Sequence, residues 1–291
     1  MRKYKTAAIA IQYILLAIVL YFLLFGIKDL KTPKFDLPYA CLSALFVILQ
    51  RFFSILRLRL MLGSGISYPF LRLASAQLTG CAFGLLTPGK MGEAYKIIAL
   101  GHDTASRRNL TGIFFSEKIL DVSFYVIFGL LASLITGHYL NETIALFLIV
   151  STAVLVYIRL HKRLSIDATA SMSMSTGMLS GMSFASLVIS FHFGIISTGV
   201  AIPALQSLHI VSHSGVIAAI SMLPGGLGGR EVTSAFLLSR TIPLDLSEAR
   251  NIAVFHTMIL YGTTFLCAII AFAADKLLRP TKSSHEKRSN P

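Results

Sequence analysis

Charge is what this sequence has least of. Only 13% of its 291 residues are Asp, Glu, Lys or Arg, about half the share of an average soluble domain. Cysteine is scarce as well: Cys41, Cys81 and Cys267 are odd in number and each lies within an apolar stretch. That excludes a disulfide framework and a zinc spacing, and leaves them as small packing residues. No G-x-x-x-x-G-K-[ST] pattern is present, so no P-loop holds a nucleotide. No Cys/His cluster stands in metal-ligand spacing, and no Ser, His and Asp group around a recognisable elbow. No metal, cofactor or catalytic residue is therefore expected.

What fills the chain instead is apolar: 55% of the residues are hydrophobic and the mean hydropathy is +0.73. Stretches long enough to cross a bilayer run over roughly 7–27, 39–56, 111–136, 143–159, 179–203 and 251–274. The sequence predicts an all-α, polytopic membrane bundle: one integral membrane domain over 1–275 and a basic cytoplasmic tail over 276–291. The basic head before the first apolar run resembles a signal peptide, but the run is too long and no A-x-A-like site follows. It reads as an uncleaved first span. The net charge of +13 does not point to nucleic acid, because the basic residues sit between spans, where they set orientation. Arg2, Lys3 and Lys5 place the N-terminus in the cytoplasm, and Lys276, Arg279, Lys282, Lys287 and Arg288 place the C-terminus there too. The loop with Lys28, Lys31 and Lys34 runs against that orientation, although Asp29 and Asp36 partly offset it.

Two segments are too short or too broken to be ordinary spans: "LASAQLTGCAFGLLTPGKMG", roughly 73–92, and "HIVSHSGVIAAISMLPGGLGG", roughly 209–229. Each has a small-residue helical stretch, a proline, glycines and then a glutamate. Pro88 aligns with Pro224, and Glu93 with Glu231 after a shift of one residue. If the first enters and leaves on the cytoplasmic side, then Lys90, Lys96, Arg107 and Arg108 are cytoplasmic, as the charge rule requires. Three spans then separate the two segments, so the second enters from outside. Two re-entrant hairpins of opposite orientation mark an inverted repeat. Irregular backbone at membrane depth survives only when buried in protein or facing a wet cavity, so the hairpins are expected to meet around one.

The residues of that cavity follow from cost. In "FFSEKILDVSF", Glu117 and Asp121 share a helix face and Lys118 lies about 100° round from Glu117. Charges at mid-helix cost about 2.5–3.5 kcal/mol each, so by default they face an interior or a cavity; the plainer alternative is an interfacial cluster with Lys118 snorkelling. Arg51, Arg57 and Arg59 are the partners nearest in kind. Arg57 and Arg59 read at least as readily as positive-inside anchors, whereas Arg51 lies deeper and points inward. In the loops, Pro224, Gly225, Gly226 and Gly229 let backbone amides approach an anion, with Arg230 and Glu231 following. Lys90, Glu93, Glu117, Lys118 and Asp121 complete the expected lining. His209 and His213 share a helix face without a third ligand, and His192 and His256 lie inside spans as hydrogen-bond donors or proton carriers. Gly80 and Gly84, like Gly177 and Gly181, have the spacing of close helix contacts. "SMSMSTGMLSGMS" reads as a cytoplasmic linker running into an interfacial helix turn.

In order along the chain, "RFFSILRLRLML", "LTPGKMGEAYK", "FFSEKILDVSF" and "MLPGGLGGREV" resemble the flippase-like membrane domain of lysylphosphatidylglycerol synthases, over about residues 10 to 275. In the bifunctional members of that family a cytosolic aminoacyl-transferase domain makes an aminoacylated lipid and the membrane domain translocates it. The resemblance implies a stand-alone translocator here, without the transferase activity. Glu93, Glu117, Asp121, Pro224, Gly225, Gly226, Gly229, Arg230 and Glu231 fall on the family's polar positions, while Lys118 and Lys90 stand where arginine is usual. Both keep the charge and lose bidentate geometry.

The function expected is a multi-pass lipid translocase of a prokaryotic cytoplasmic membrane, moving a phosphate-bearing, aminoacylated or glycosylated lipid. Its partners would be membrane lipids, and either a second copy of the chain or an envelope biosynthesis enzyme. The alternatives are a membrane-embedded transferase using a polyprenyl-phosphate-linked donor, and a non-transporting partner of an envelope synthase.

Overall fold

The computed structural model describes residues 35–63, 68–101, 104–137, 144, 148, 173–221, 224–226 and 228–278. The span expected at 7–27 and, apart from 144 and 148, that at 143–159 lie outside them; of the tail expected over 276–291, residues 276–278 continue the last helix and the rest lies outside. Every regular element among the described residues is helical.

Among the described residues four helices are long and apolar enough to cross a bilayer: α1 (Leu37–Leu62), α4 (Thr104–Thr136, apolar from Asn109), α5 (Met174–Ile196) and α8 (Leu246–Leu278). Their outer faces are inverted relative to a water-soluble fold. Leu45, Ile48 and Phe52 on α1, Ile127, Leu131 and Leu134 on α4, and Leu266, Ile269 and Ile270 on α8 are all exposed. Apolar surface on this scale needs lipid around it. This is a multi-pass membrane protein.

α5 starts earlier than the hydropathy pattern suggested. Ser173 and Thr176 form a capping box, with Ser173 Oγ accepting from the Thr176 amide at 3.2 Å and Thr176 Oγ1 from the Ser173 amide at 3.0 Å. Two otherwise orphaned amides are satisfied, so helix begins at Met174 and most of the stretch read as a linker is regular helix. The chain leaves the helix at Ile196, short of the expected 203.

Between the long helices lie two elements of matching plan. α2 (Phe70–Leu86) and α6 (Ala204–Ile220) each have 17 residues and each follow a proline, Pro69 and Pro203. At 1.5 Å per residue they reach about 25 Å, short of the roughly 30 Å apolar core of a bilayer. Each gives way to a 3-10 turn opened by a proline, Pro88–Ala94 and Pro224–Gly226. Each turn leads into a shorter helix, α3 (Tyr95–Leu100) and α7 (Gly229–Thr241).

The packing repeats the same plan. α1 lies along α5 in a seam of small residues, where Ser43 Oγ donates to the Ser190 carbonyl at 2.8 Å. α2 packs on α8, with Ala74, Leu78 and Ala82 one turn apart against Ala268 and Ala271. α6 packs on α4. Exchanging α1 with α5, α2 with α6, α3 with α7 and α4 with α8 maps these contacts onto one another, and likewise the α1–α2 and α5–α6 pairs and the α3–α4 and α7–α8 pairs. The two 3-10 turns touch each other at the centre.

Candidate functional site

Side chains from both halves close around one cavity beside the meeting turns. α1 contributes Gln50, Arg51, Ser54 and Arg57, the first turn Lys90 and Glu93, α4 Lys118 and Asp121, and the second half Ser180, Gly225 and Arg230. The free space among them is about 70 Å³, room for about five waters or one phosphate group.

The turns are held where they are by side chains with specific partners. Thr87 Oγ1 donates to the Phe83 carbonyl at 2.9 Å and accepts from the Gly92 amide at 2.6 Å. Beneath it, a Cβ at Gly84 would lie 2.6 Å from Glu93 Cγ and one at Gly92 would lie 2.3 Å from the Phe83 carbonyl carbon of α2, so glycine at these places lets the turn fold back closely over α2. In the second turn Gly225 has φ +60 and a Cβ there would lie 2.8 Å from the Leu85 carbonyl oxygen of α2. Tyr261 Oη of α8 donates to the Gly225 carbonyl at 2.9 Å.

The glutamates that close the two motifs do equivalent things. Glu93 accepts from Lys118 on α4, the long helix that follows its turn. Glu231 accepts from Thr257 Oγ1 on α8, the long helix that follows its own, at 2.7 Å. Its other oxygen takes the Gly228 amide at 2.6 Å and caps α7. The alignment of Glu93 with Glu231 therefore has a structural counterpart.

A buried polar chain runs behind the cavity. Gln77 Nε2 donates to Ser54 Oγ at 2.6 Å, and Lys96 Nζ donates to Gln77 Oε1 at 3.2 Å and to Glu117. Glu117 is 1% exposed and lies 3.8 Å from Arg57 Nε. Arg57 Nη1 donates to Asp121 Oδ1 at 2.6 Å and to Ser180 Oγ at 3.0 Å. Lys118 sits 3.8 Å from Asp121. Every acid in this region thus has a basic or hydrogen-bonding partner. The cations do not all have one: among the described residues Lys90 and Arg230 enter no ion pair, and Arg51 bonds only Thr264 Oγ1, at 3.1 Å.

Of the residues expected here, Arg51, Lys90, Glu93, Lys118, Asp121, Gly225 and Arg230 line the cavity. Glu117 stands one layer behind, between Lys96 and Arg57. Pro224 opens the second turn, Gly226 packs on Ala218 and Gly229 on Ser221, and Glu231 faces Thr257. The anchor reading of Arg57 fails, since its side chain is 4% exposed in a double ion pair; Arg59, exposed at the helix end, fits it. Lys96, counted as a cytoplasmic loop charge, is fully buried, because α3 turns back against α4. Lys90 likewise faces the cavity, so neither contributes to the charge rule. Cys81, taken as packing alone, also lines the cavity.

A second, smaller space of about 10 Å³, enough for one water, lies between α5, α6, α7 and α8, against Ser214, Ser234, His256 and Thr257. Arg230 and Leu187 line both spaces. His209 and His213 lie with ring centroids 4.2 Å apart and planes tilted by 41°, and His213 Nδ1 lies 2.9 Å from the His209 carbonyl. Among the described residues no three His, Cys, Asp or Glu side chains converge as metal ligands.

Compared with known families, residues 7–269 match the family described as the lysylphosphatidylglycerol synthase TM region. Among curated proteins none matches the chain.

Proposed function

The chain belongs to the family of lysylphosphatidylglycerol synthase TM regions, a membership that points to a membrane role connected with lipids, and from it we propose a lipid translocase of the cytoplasmic membrane. The lipid's phosphate-bearing, aminoacylated or glycosylated head would occupy the polar cavity while its tails stay in the bilayer. One observation carries this reading: a charged cavity inside an apolar bundle, roofed by two proline-opened turns that meet from two matching halves. Backbone of this kind at membrane depth is tolerated where it borders such a space.

In this reading α2 with α3, and α6 with α7, are re-entrant hairpins of opposite orientation, each packed on the last long helix of the other half. Loosening one hairpin opens the cavity to one leaflet, and loosening the other opens it to the opposite leaflet. No role in catalysis is assigned to the acids. In this arrangement Glu93, Glu117, Asp121 and Glu231 are each engaged by Lys, Arg, Thr or a backbone amide.

Reconstituting the purified chain into vesicles with labelled phospholipids and glycolipids tests the proposal. Movement of at least one lipid class between leaflets, faster than in protein-free vesicles, is expected. No movement of any class beside an active control would refute it. Loss of a product lipid from cells carrying Glu93→Gln, with leaflet distribution unchanged, would favour the transferase instead.

A further inference from the structure

The charge around the cavity narrows the head group, provided the cavity is the lipid site proposed above. Among the described residues five cationic side chains line it, Arg51, Arg57, Lys90, Lys118 and Arg230, against two acids, Glu93 and Asp121. Glu93 is taken by Lys118, and Asp121 by Arg57 and Lys118. Glu117 behind them is taken by Lys96 and Arg57, so that pairing adds no free acid. Arg51, Lys90 and Arg230 remain, an excess of three positive charges on one small space. Burying like charges together is costly unless an anion completes the set.

Backbone geometry agrees. Lys90 has φ +57, the one described non-glycine residue in the left-handed region. A long side chain held there is a strain of the sort found where a group is aimed at a ligand. It arises inside a turn already fixed by Thr87, and it faces the guanidinium-bearing walls of α1 and α7. The space of about 70 Å³ among these side chains has room for a phosphate.

We infer that the cavity binds the terminal phosphate of a lipid phosphomonoester, and discriminates against phosphodiester lipids whose heads continue into a sugar, glycerol or amino acid. A dianionic phosphate supplies two of the three missing charges and has the oxygens for two guanidinium forks and an ammonium. An aminoacylated head would bring an ammonium into a cavity with no uncommitted carboxylate among the described residues to receive it.

The test is equilibrium binding of radiolabelled lipids with the same acyl chains to the full-length protein in detergent. The heads compared are phosphatidic acid, phosphatidylglycerol and its lysyl ester, with inorganic phosphate as a separate arm. Phosphatidic acid should bind at least about tenfold tighter than the other two lipids, and tighter than free phosphate. Arg51→Gln, Lys90→Gln and Arg230→Gln should each weaken it by about tenfold or more, the effect of one lost charge-assisted bond. Arg240→Gln, an exposed residue outside the cavity, should change nothing. Where a Gln variant does not elute as a monodisperse species, Arg51→Lys and Arg230→Lys, which keep the charge, should lose less than tenfold. The lipid ranking on the unmodified protein decides the question without any variant.

Equal binding of all heads, or preference for the lysyl ester, overturns the inference even if lipids cross vesicle membranes. Free phosphate binding as well as the lipid overturns it too, in favour of a soluble anion. Tight, selective phosphatidic acid binding with no lipid movement upholds the inference and refutes the translocase reading. Absence of both refutes both.

Discussion

Glu117→Gln should destabilise the protein, and a second change should restore it. Glu117 is 1% exposed and is the acid that Lys96, itself 1% exposed, has been buried against. The amide keeps the shape and one acceptor but removes the charge. Arg57 keeps Asp121 at 2.6 Å, so the uncompensated group is Lys96, left with Gln77 Oε1 at 3.2 Å. Removing one partner of a buried pair costs about 3–5 kcal/mol. An independent bound comes from the escape route open to Lys96, which is loss of its proton: from an ordinary lysine at pH 7 that costs about 4.6 kcal/mol. At about 2–4 °C per kcal/mol for a chain of this size, 3–5 kcal/mol lowers the melting temperature by roughly 6–20 °C. The sign of the pH dependence follows. In the variant the folded state holds Lys96 neutral while the unfolded state binds the proton, so stability rises with pH until the unfolded lysine titrates. The bound drops by about 1.4 kcal/mol per pH unit above 7. Glu117→Gln with Lys96→Met removes both charges and should recover most of the loss. Melting followed by light scattering and size exclusion, at pH 7 and pH 9, measures all of this. A single variant as stable as the parent, or a double variant worse than either single, would refute the buried-pair argument.

Three further outcomes are expected. Gly84→Val places side-chain carbons into Glu93 and should displace the first turn, abolishing lipid binding while α2 keeps its helicity by circular dichroism; unchanged binding would show that the turn is not held as described. Thr257→Val leaves Glu231 with its capping bond but without its inter-helix donor, and should cost about 1–3 kcal/mol, read as a lowered melting temperature. In a chain whose three cysteines, Cys41, Cys81 and Cys267, are replaced by alanine, Asn109→Cys and Asp245→Cys should react with a membrane-impermeant thiol reagent from opposite sides. Reaction from the same side would remove the inverted arrangement of the hairpins.

The long helices were legible because bilayer thickness writes directly into apolar length. The two short helices and their proline-opened turns were legible because proline and glycine interrupt runs of about 17 residues in corresponding places. Arg57 and Lys96 were harder. A basic residue near the end of a span satisfies the charge rule wherever its side chain points, and the acid that buries Arg57 lies 64 positions away. A local signal did exist: Gln50, Ser54 and Arg57 recur at i, i+4 and i+7 on α1, as do Thr176, Ser180 and Ser183 on α5. Polar stripes of that period on otherwise apolar helices mark the faces that meet an interior. The pairing of acids was not legible at all, because which cation each would take depends on how α3 folds back.

The two halves share a plan but not a charge distribution, and this constrains how any transport would behave. Arg51 and Lys90 border only the larger cavity, whereas Arg230, with Leu187, borders both. If exchange of the halves carries a phosphate from one space toward the other, Arg230 accompanies it throughout and Arg51 holds it at one end. A passive translocase obeys microscopic reversibility, so no substitution changes the equilibrium distribution between identical leaflets. What a substitution changes is the half-saturating lipid concentration on each side, with the maximal rate from that side adjusting to keep the ratio fixed. Arg51→Gln should therefore raise half-saturation for lipid offered from one leaflet, and Arg230→Gln should raise it from both. Measuring initial rates in the two directions over a range of lipid density separates these outcomes. Equal effects of the two substitutions from both leaflets would place Arg51 and Arg230 in a single binding step and remove the second cavity from the route.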